Sequence, residues 1–309
     1  MSASRHPLLV FIVVLGTIFV ILPPFLSTYE MSLANEVLIF ALLAMSIDVL
    51  AGYAGRVSLG HGAIFGISTY VVIYWTTIMG GSPWVGCLLG IAAATLAAGV
   101  FALLAARVAG VYFLLLTLAL GMIVWGACLR WTSVTGGENG IRGSGRPDII
   151  ADPTVFYYVT LVVVLALTVI IWRFVHSPFG LTLRGIRDSE SRMRSLGYGV
   201  AAHVFLAFTI TGFFAGVAGA LYALFNDFVS PSTVQLAQSV EGLLMAIIGG
   251  IGTLFGSFIG AAAIILLENF VSQYTERWQM ILGFMFIGAM IFAPEGFLGA
   301  LRKMFQKRK

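Results

Sequence analysis

The stretch SPFGLTLRGIRDSESRMRSLGYGV, residues 177–200, gathers the groups best able to make charge-assisted hydrogen bonds: Arg184, Arg187, Asp188, Glu190, Arg192 and Arg194. They are six of the chain's 30 charged side chains (17 Lys and Arg plus 13 Asp and Glu). Guanidinium and carboxylate groups in this pattern hold a protein surface or anionic lipid; they do not make or break bonds. A second set lies in apolar, glycine-dense surroundings: Ser58, His61 and Thr69, with Tyr53 just before them. A histidine in such a run either lines a solute path or packs with its nitrogens bonded to backbone. Asp48 lies near the end of another apolar run, as an ion-pair or capping group in preference to a proton relay. Thr135, Gly136 and Gly137 open the run TGGENGI, which shapes an outer gate or makes a plain glycine turn.

Other chemistry is missing. No G-x-x-x-x-G-K-[ST] loop is present to cradle a nucleotide. No paired carboxylates, histidine clusters or nucleophile motif fall in an apolar run. The two cysteines, Cys87 and Cys128, both sit in apolar runs, where a thiol acts as a small hydrophobe; no metal site is expected. A net charge of +4 comes from basic residues scattered between apolar runs or packed at the C-terminus, which speaks against nucleic acid as a partner.

The elements that must position these residues are membrane helices. Sixty per cent of residues are apolar, 10% are charged, and mean hydropathy is +1.01. Soluble domains carry about a quarter charged residues. About 20 apolar residues cross a bilayer as a helix. Candidate spans cover 8–26, 33–50, 57–78, 84–106, 108–130, 154–174, 203–225 and 278–293. The first is read as a retained span, because LPPFLSTYEM follows it and offers no small-x-small cleavage site. Trp125, Trp131 and Trp278 suit interfacial anchors.

Region 236–268 is either one long helix or two short ones broken near IGGIGTLFG, residues 248–256. Short basic loops favour the cytoplasm. Counting from Arg5 inside, Arg56, Arg107 and the 177–200 stretch all fall inside. The basic tail, residues 302–309, joins them only if 236–268 crosses twice or not at all. The expectation is an all-α polytopic bundle of about ten crossings, one domain over 1–309, with a broken or re-entrant element near 248–256 and both termini cytoplasmic. Gly60–Gly66 and Gly250–Gly256 share the pattern G-x-G-x-x-F-G, one copy in each half. Gly-interrupted segments at corresponding positions point to a translocation path, which makes Gly250 and Gly252 candidates beside Tyr53, Ser58, His61 and Thr69. Close helix packing is the other reading.

For the charged stretch, Ser177 and Pro178 predict a helix start and Gly197 a stop. The helix between has roughly 19 residues, close to 30 Å. Phe179, Leu183, Ile186, Met193 and Leu196 share one face, with Glu190 on the same stripe. A cytoplasmic amphipathic element of this kind lies on lipid, is solvated, or docks a soluble partner.

Six stretches, in order over about residues 35–300, resemble the permeases of branched-chain amino acid ABC importers, of the LivM type. They are GYAGRVSLGHGAIFGISTY (52–70), RVAGVYFLLLTLAL (107–120), TGGENGI (135–141), SPFGLTLRGIRDSESRMRSLG (177–197), SVEGLLMAIIGGIGTLFGSFIGA (239–261) and PEGFLG (294–299). The resemblance implies an inner-membrane protein that works beside a homologous permease, receives solute from a periplasmic or extracellular binding protein, and binds no cofactor itself. ATP is used by separate ATP-binding subunits. It further implies that 177–199 is the coupling element seated on them, through Pro178, Gly180, Arg184, Arg187, Asp188, Glu190, Arg194, Leu196 and Gly197. The alanines of the usual E-A-A-x-x-x-G are replaced here by Ser191, Arg192 and Met193, so Gly197 is the surest residue carried over. The rival class is a self-contained secondary transporter or channel for a small solute. It needs ionisable groups inside the spans, which are nearly lacking. The solute and the dimer partner are not written in the sequence.

Overall fold

The computed structural model describes residues 26–274, with 280, 281, 283, 284 and 287. The candidate spans at 8–26 and 278–293 lie outside them except for those few positions. Arg5, Trp278, the 294–299 motif and the basic tail lie wholly outside. Within the described residues the chain is an all-α bundle, as expected of a membrane helical protein, with one two-stranded β-bridge.

Helix α1, Thr28–Asp48, starts in a capping box. The Ser27 Oγ accepts from the Glu30 amide at 3.3 Å, and a Glu30 carboxylate oxygen accepts from the Ser27 amide at 2.7 Å. It runs on into a π-helical turn, Val49–Tyr53. An extended segment follows, and then α2 (His61–Thr77), α3 (Pro83–Ala105), α4 (Val111–Arg130) and α5 (Pro153–Val175). Two short helices come next, α6 (Pro178–Asp188) and α7 (Glu190–Ser195), and then the long α8, Val200–Asn226. Two more complete the described chain, α9 (Leu236–Gly249) and α10 (Gly256–Ser272). The Asp152 carboxylate caps α5. The amides of Thr154 and Val155 donate to it at 2.7 and 3.3 Å, and these bonds hold its pKa below the usual aspartate value.

Five of these helices are long and apolar enough to cross a membrane: α1 with its π turn, α3, α4, α5 and α8. Burial separates centre from perimeter. Within the most apolar stretch of each, 83% of α1 is buried but only 22% of α4. On α3, Leu88, Leu96 and Leu103 face outward. Against hydrocarbon an exposed Leu costs nothing, so polarity does not mark the inward face; residue size does. The inward face of α3 is a stripe of small residues four apart: Gly86, Gly90, Ala94, Ala98 and Ala102. Gly216 of α8 lies against Ala94, and Gly212 against Ala98. Hydroxyls lock the neighbouring α2–α8 seam. Ser68 donates to the Gly216 carbonyl at 2.6 Å, and Thr69 to that of Gly219 at 3.0 Å.

Region 236–268 is two helices rather than one. Gly250 (φ 109°), Gly252 (φ 80°) and Leu254 (φ 52°) all turn into the positive-φ region, which no helix tolerates. Helices α9 and α10 fold back on each other, with Gly260 against the Met245 carbonyl, as an antiparallel hairpin. Its α10 arm runs against α1, with the Tyr29 hydroxyl 3.3 Å from Asn269 Oδ1 at the far end.

The two G-x-G-x-x-F-G copies do not occupy equivalent places. The first starts α2, with Gly62 and Gly66 inside the helix. The second is the hairpin turn, with only Gly256 reaching α10.

Candidate functional site

The charged stretch is not one helix of 19 residues. Ser189 is extended (φ −164°, ψ 101°) and splits it into α6 and α7. Two caps explain the break. Ser177 accepts from the Gly180 amide at 3.4 Å to start α6, and Ser189 accepts from the Arg192 amide at 3.4 Å to start α7. Gly197 ends α7 with φ 87°, as its type predicts. The apolar stripe holds in part. Leu183 and Ile186 are buried under α6, and Phe179 stacks on Phe174 and His203. Leu196 departs from it and is 67% exposed, because the break rotates α7 away from the bundle.

The break also divides the charges into two sets. Arg184, Arg187 and Glu190 make bonds into the bundle, although Arg187 stays 45% exposed and also pairs with Asp188 at 3.3 Å. The Arg184 guanidinium lies over the Tyr53 ring at 5.0 Å and donates to the Val175 carbonyl at 3.3 Å. Arg187 donates from Nη1 to the Gly52 carbonyl at 2.6 Å. Glu190 takes Arg56 at 2.6 Å on one oxygen and Arg194 at 2.5 Å on the other. Arg56, only 4% exposed, donates further to the Val108 carbonyl at 2.6 Å. Thus the loop beginning at Arg56, the one at Val108 and the charged stretch meet at one end of the bundle. The outward set is Asp188, Arg192, Arg194, Leu196 and Gly197, with Leu181 and Tyr198 beside it.

At the same end the π turn meets the α9–α10 turn. The Asp48 carboxyl, fully buried, accepts from the Gly252 amide at 2.6 Å and the Leu254 amide at 3.0 Å. The Tyr53 hydroxyl donates to the Gly252 carbonyl at 3.0 Å. Tyr53 and Gly252, both read as path residues, are therefore brought together. Asp48 is a capping group, and what it caps lies 204 residues away. Its signal was an acid in an apolar run facing a G-x-G turn with free amides, but no local spacing pairs the two.

Deeper in the bundle a second polar node forms. Between the π turn and α2 the backbone at 55–60 is not helical; Arg56, Ser58 and Gly60 of it are buried in the protein, while Gly55 is exposed. Ser58 and His61 are fully buried. The His61 Nδ1 lies 3.2 Å from the Ser58 hydroxyl and its Nε2 lies 3.1 Å from the Thr211 hydroxyl. Its ring packs on Phe208 at 5.1 Å. The start of α9 closes on this node, for the Ser239 hydroxyl accepts from the Gly62 amide at 2.9 Å. A narrow cleft beside it is lined by Leu59, Gly121, Met122, Val234, Gln235 and Ser239. Thr211 was missed in the sequence, since it carries no motif; Ser239 opens the stretch 239–261, but nothing in that pattern assigns it to a site. Thr69, in contrast, is spent within the α2–α8 seam. Thr211→Val keeps the shape and removes one His61 partner. The expected cost is about 1–2 kcal/mol, or a midpoint lower by roughly 2–4 °C in detergent; an unchanged melting curve would show that the node is not a structural bond.

Thr135, Gly136 and Gly137 lie at the other end. The Thr135 hydroxyl donates to the Cys128 carbonyl at 2.6 Å, and both glycines have positive φ. Strand β1 (Ile141–Arg142) follows and pairs antiparallel with β2 (Phe228–Val229) after α8. Arg146 clamps the same end, donating to the Leu224 and Phe225 carbonyls and lying 4.3 Å over the Phe156 ring. Glu241 and Glu268, which flank the 248–256 segment, lie within α9 and α10, and with Glu36 of α1 they are near enough to interact electrostatically. Among the described residues no group of three His, Cys, Asp or Glu side chains is arranged to hold a metal ion.

Comparison with known proteins gives concordant matches. Residues 10–291 match the family described as "Branched-chain amino acid transport system / permease component". The chain is 29% identical to the "High-affinity branched-chain amino acid transport system permease protein LivM" of Salmonella typhimurium, over 94% of this chain and 75% of that protein. It is also 29% identical to the Escherichia coli protein of the same name, with the same coverage. A "Probable branched-chain amino acid transport permease protein LivM" of Methanocaldococcus jannaschii is 24% identical over 61% of this chain and 65% of its own length. No solved structure matches significantly.

Proposed function

Because the chain belongs to the permease family of branched-chain amino acid transport systems, we propose that it is the membrane subunit of an ABC importer for branched-chain amino acids or similar small polar solutes. Separate ATP-binding subunits drive it, and this chain holds no nucleotide or other cofactor. A homologous permease stands beside it, and an extracytoplasmic binding protein delivers the solute.

The observation that carries the docking role is the division of charges in 177–199. The face turned outward, with Asp188, Arg192, Arg194 and Leu196, is the one an ATP-binding subunit would cover. Pro178, Gly180, Arg184, Arg187 and Glu190 hold that face to the bundle. The solute path in this reading passes the node of Ser58, His61 and Ser239 and its cleft, between the end held by Tyr53, Gly250 and Gly252 and the one held by Thr135, Gly136 and Gly137. Thr69 flanks it through the α2–α8 seam.

The five long helices, with α2, α9 and α10, supply eight membrane elements. The spans expected at 8–26 and 278–293 raise the number to ten. That count places both termini with the basic loops, in the cytoplasm of an inner-membrane protein. It treats α9 and α10, of 14 and 17 residues, as a short hairpin pair whose turn stays at the cytoplasmic side. A secondary transporter would place ion-coupling groups along the path. Among the described residues, the acids grouped within the spans are Glu36, Glu241 and Glu268, on the α1–α9–α10 side.

Co-purification tests the reading. The tagged chain, expressed with its neighbouring genes, is expected to bring ATP-binding subunits with it. Scrambling 177–199 at constant composition is expected to lose them. In a finer version, Ala at Asp188, Arg194 and Leu196 lowers recovery at least tenfold, while the permease keeps its melting curve, since all three are exposed. Recovery at the native level from the scrambled chain would remove the docking role.

A further inference from the structure

The charged stretch and the α9–α10 turn are 50 to 75 residues apart in sequence and never touch directly in any bond described above. Both touch the same six-residue stretch, Asp48 to Tyr53. Arg187 Nη1 donates to the Gly52 carbonyl at 2.6 Å, and the Arg184 guanidinium lies 5.0 Å from the Tyr53 ring centre. In the same π turn, Gly52 meets Gly252 backbone to backbone. A Cβ placed at Gly52 would lie 2.5 Å from the Gly252 amide nitrogen and 2.6 Å from its Cα. Asp48 holds the amides of Gly252 and Leu254, and Tyr53 holds the Gly252 carbonyl. Leu254, a non-glycine residue at φ 52°, is kept in that conformation by its bond to Asp48.

The backbone contact of Gly52 with Gly252 is held by three hydrogen bonds from two buried side chains, Asp48 and Tyr53, which leaves it little room to slip. π-turns inside α-helices often mark functional positions for the same reason, since they aim carbonyls out of the helix ladder. Here the freed Gly52 carbonyl is the one that Arg187 takes.

We infer that the π turn Val49–Tyr53 is the strut through which displacement of the 177–195 segment reaches the α9–α10 hairpin, with Arg187, Asp48 and Tyr53 as its positioning residues. This rests on the docking role proposed above. Movement imposed on α6 pulls Gly52 through Arg187, and Gly252 follows because Asp48 and Tyr53 bind it to the same turn. The far end of the hairpin, where Ser239 bonds the Gly62 amide beside His61, is thereby coupled to the docking face.

Spin labels test this in the assembled complex. Labels go at Ser195→Cys and Ile251→Cys, both exposed sites, with Cys87 and Cys128 replaced by Ala. A second pair joins Ser195→Cys to Trp131→Cys at the opposite end. Between nucleotide-free and ATP-trapped states, the 195–131 distance is expected to shift on the order of 2–5 Å, while the 195–251 distance stays constant. With Arg187→Gln the 195–251 distance is expected to change with nucleotide, and with Arg187→Lys, which still offers a donor to Gly52, it is expected to stay constant again. A merely structural bond would move the melting curve but not this nucleotide response.

The strut is overturned if the native complex changes the 195–251 distance on binding ATP, if Arg187→Gln leaves that distance constant, or if the 195–131 distance does not move at all. If the unmodified chain recruits no ATP-binding subunit, the docking role itself fails and the strut falls with it. The two failures are told apart at the first purification step.

Discussion

Glu190→Ala is expected to loosen the whole 177–195 segment, with a loss of about 3–5 kcal/mol. The effect comes from Arg56, not from Glu190 itself. Arg56 is 4% exposed, and its guanidinium has two described partners, the Glu190 carboxylate and the Val108 carbonyl. Removing the carboxylate leaves a buried cation with one neutral acceptor. Arg194, the other partner of Glu190, is 61% exposed, so Arg194→Ala is expected to cost less than about 1 kcal/mol. Limited trypsin digestion in detergent reads the difference. Cleavage after Arg187, Arg192 or Arg194 should speed up at least tenfold in Glu190→Ala and hardly at all in Arg194→Ala. Replacing Arg56 and Glu190 together by apolar residues of similar size should recover most of the protection, because a buried pair removed whole leaves no orphan charge. Equal digestion of Glu190→Ala and the native chain would show that Arg56 finds another partner.

Asp48→Ala is expected to lower stability by about 2–4 kcal/mol, since hydrogen bonds to an ionisable group contribute more than neutral ones and two buried amides lose their acceptor. At about 2 °C per kcal/mol for a chain of this size, the midpoint in detergent falls by roughly 4–8 °C. Asp48→Asn retains one acceptor oxygen and should fall between the two. The small cavity left by Ala adds to the loss, so Asp48→Leu, which fills the space but bonds neither amide, is the control. If Asp48→Leu melts like the native chain, the Gly252 and Leu254 amides are not held by this carboxyl in any way that matters to stability.

The site was legible in the sequence only where its signals are local. The cap at Ser177 and the stop at Gly197 follow from residue types whose effect reaches three or four positions, whereas the two-helix form of 236–268 was one of two readings and rested mainly on the parity of the basic loops. The break at Ser189 was missed because a serine inside a helical pattern reads as neutral. It becomes a cap only once Arg187 and Arg56 draw the two halves of the charged stretch into different directions. The bonds of Asp48 to Gly252, Arg187 to Gly52 and Thr211 to His61 join positions 204, 135 and 150 residues apart. No periodicity carries such information.

What the sequence by itself determined is the solvent each segment meets. Long uncharged runs can only be helices in a bilayer, since every backbone group must be bonded within its own segment. The basic loops then set which ends lie together. What only the tertiary structure decided is which face of each helix turns inward. In hydrocarbon, Leu88 outside and Leu42 inside are equally content, so apolarity leaves the faces undetermined. The choice falls to the fit of Ala94 and Ala98 against Gly216 and Gly212, and to the few polar groups that must find partners across the bundle. Those same partners make the contacts between the docking face, the π turn and the hairpin.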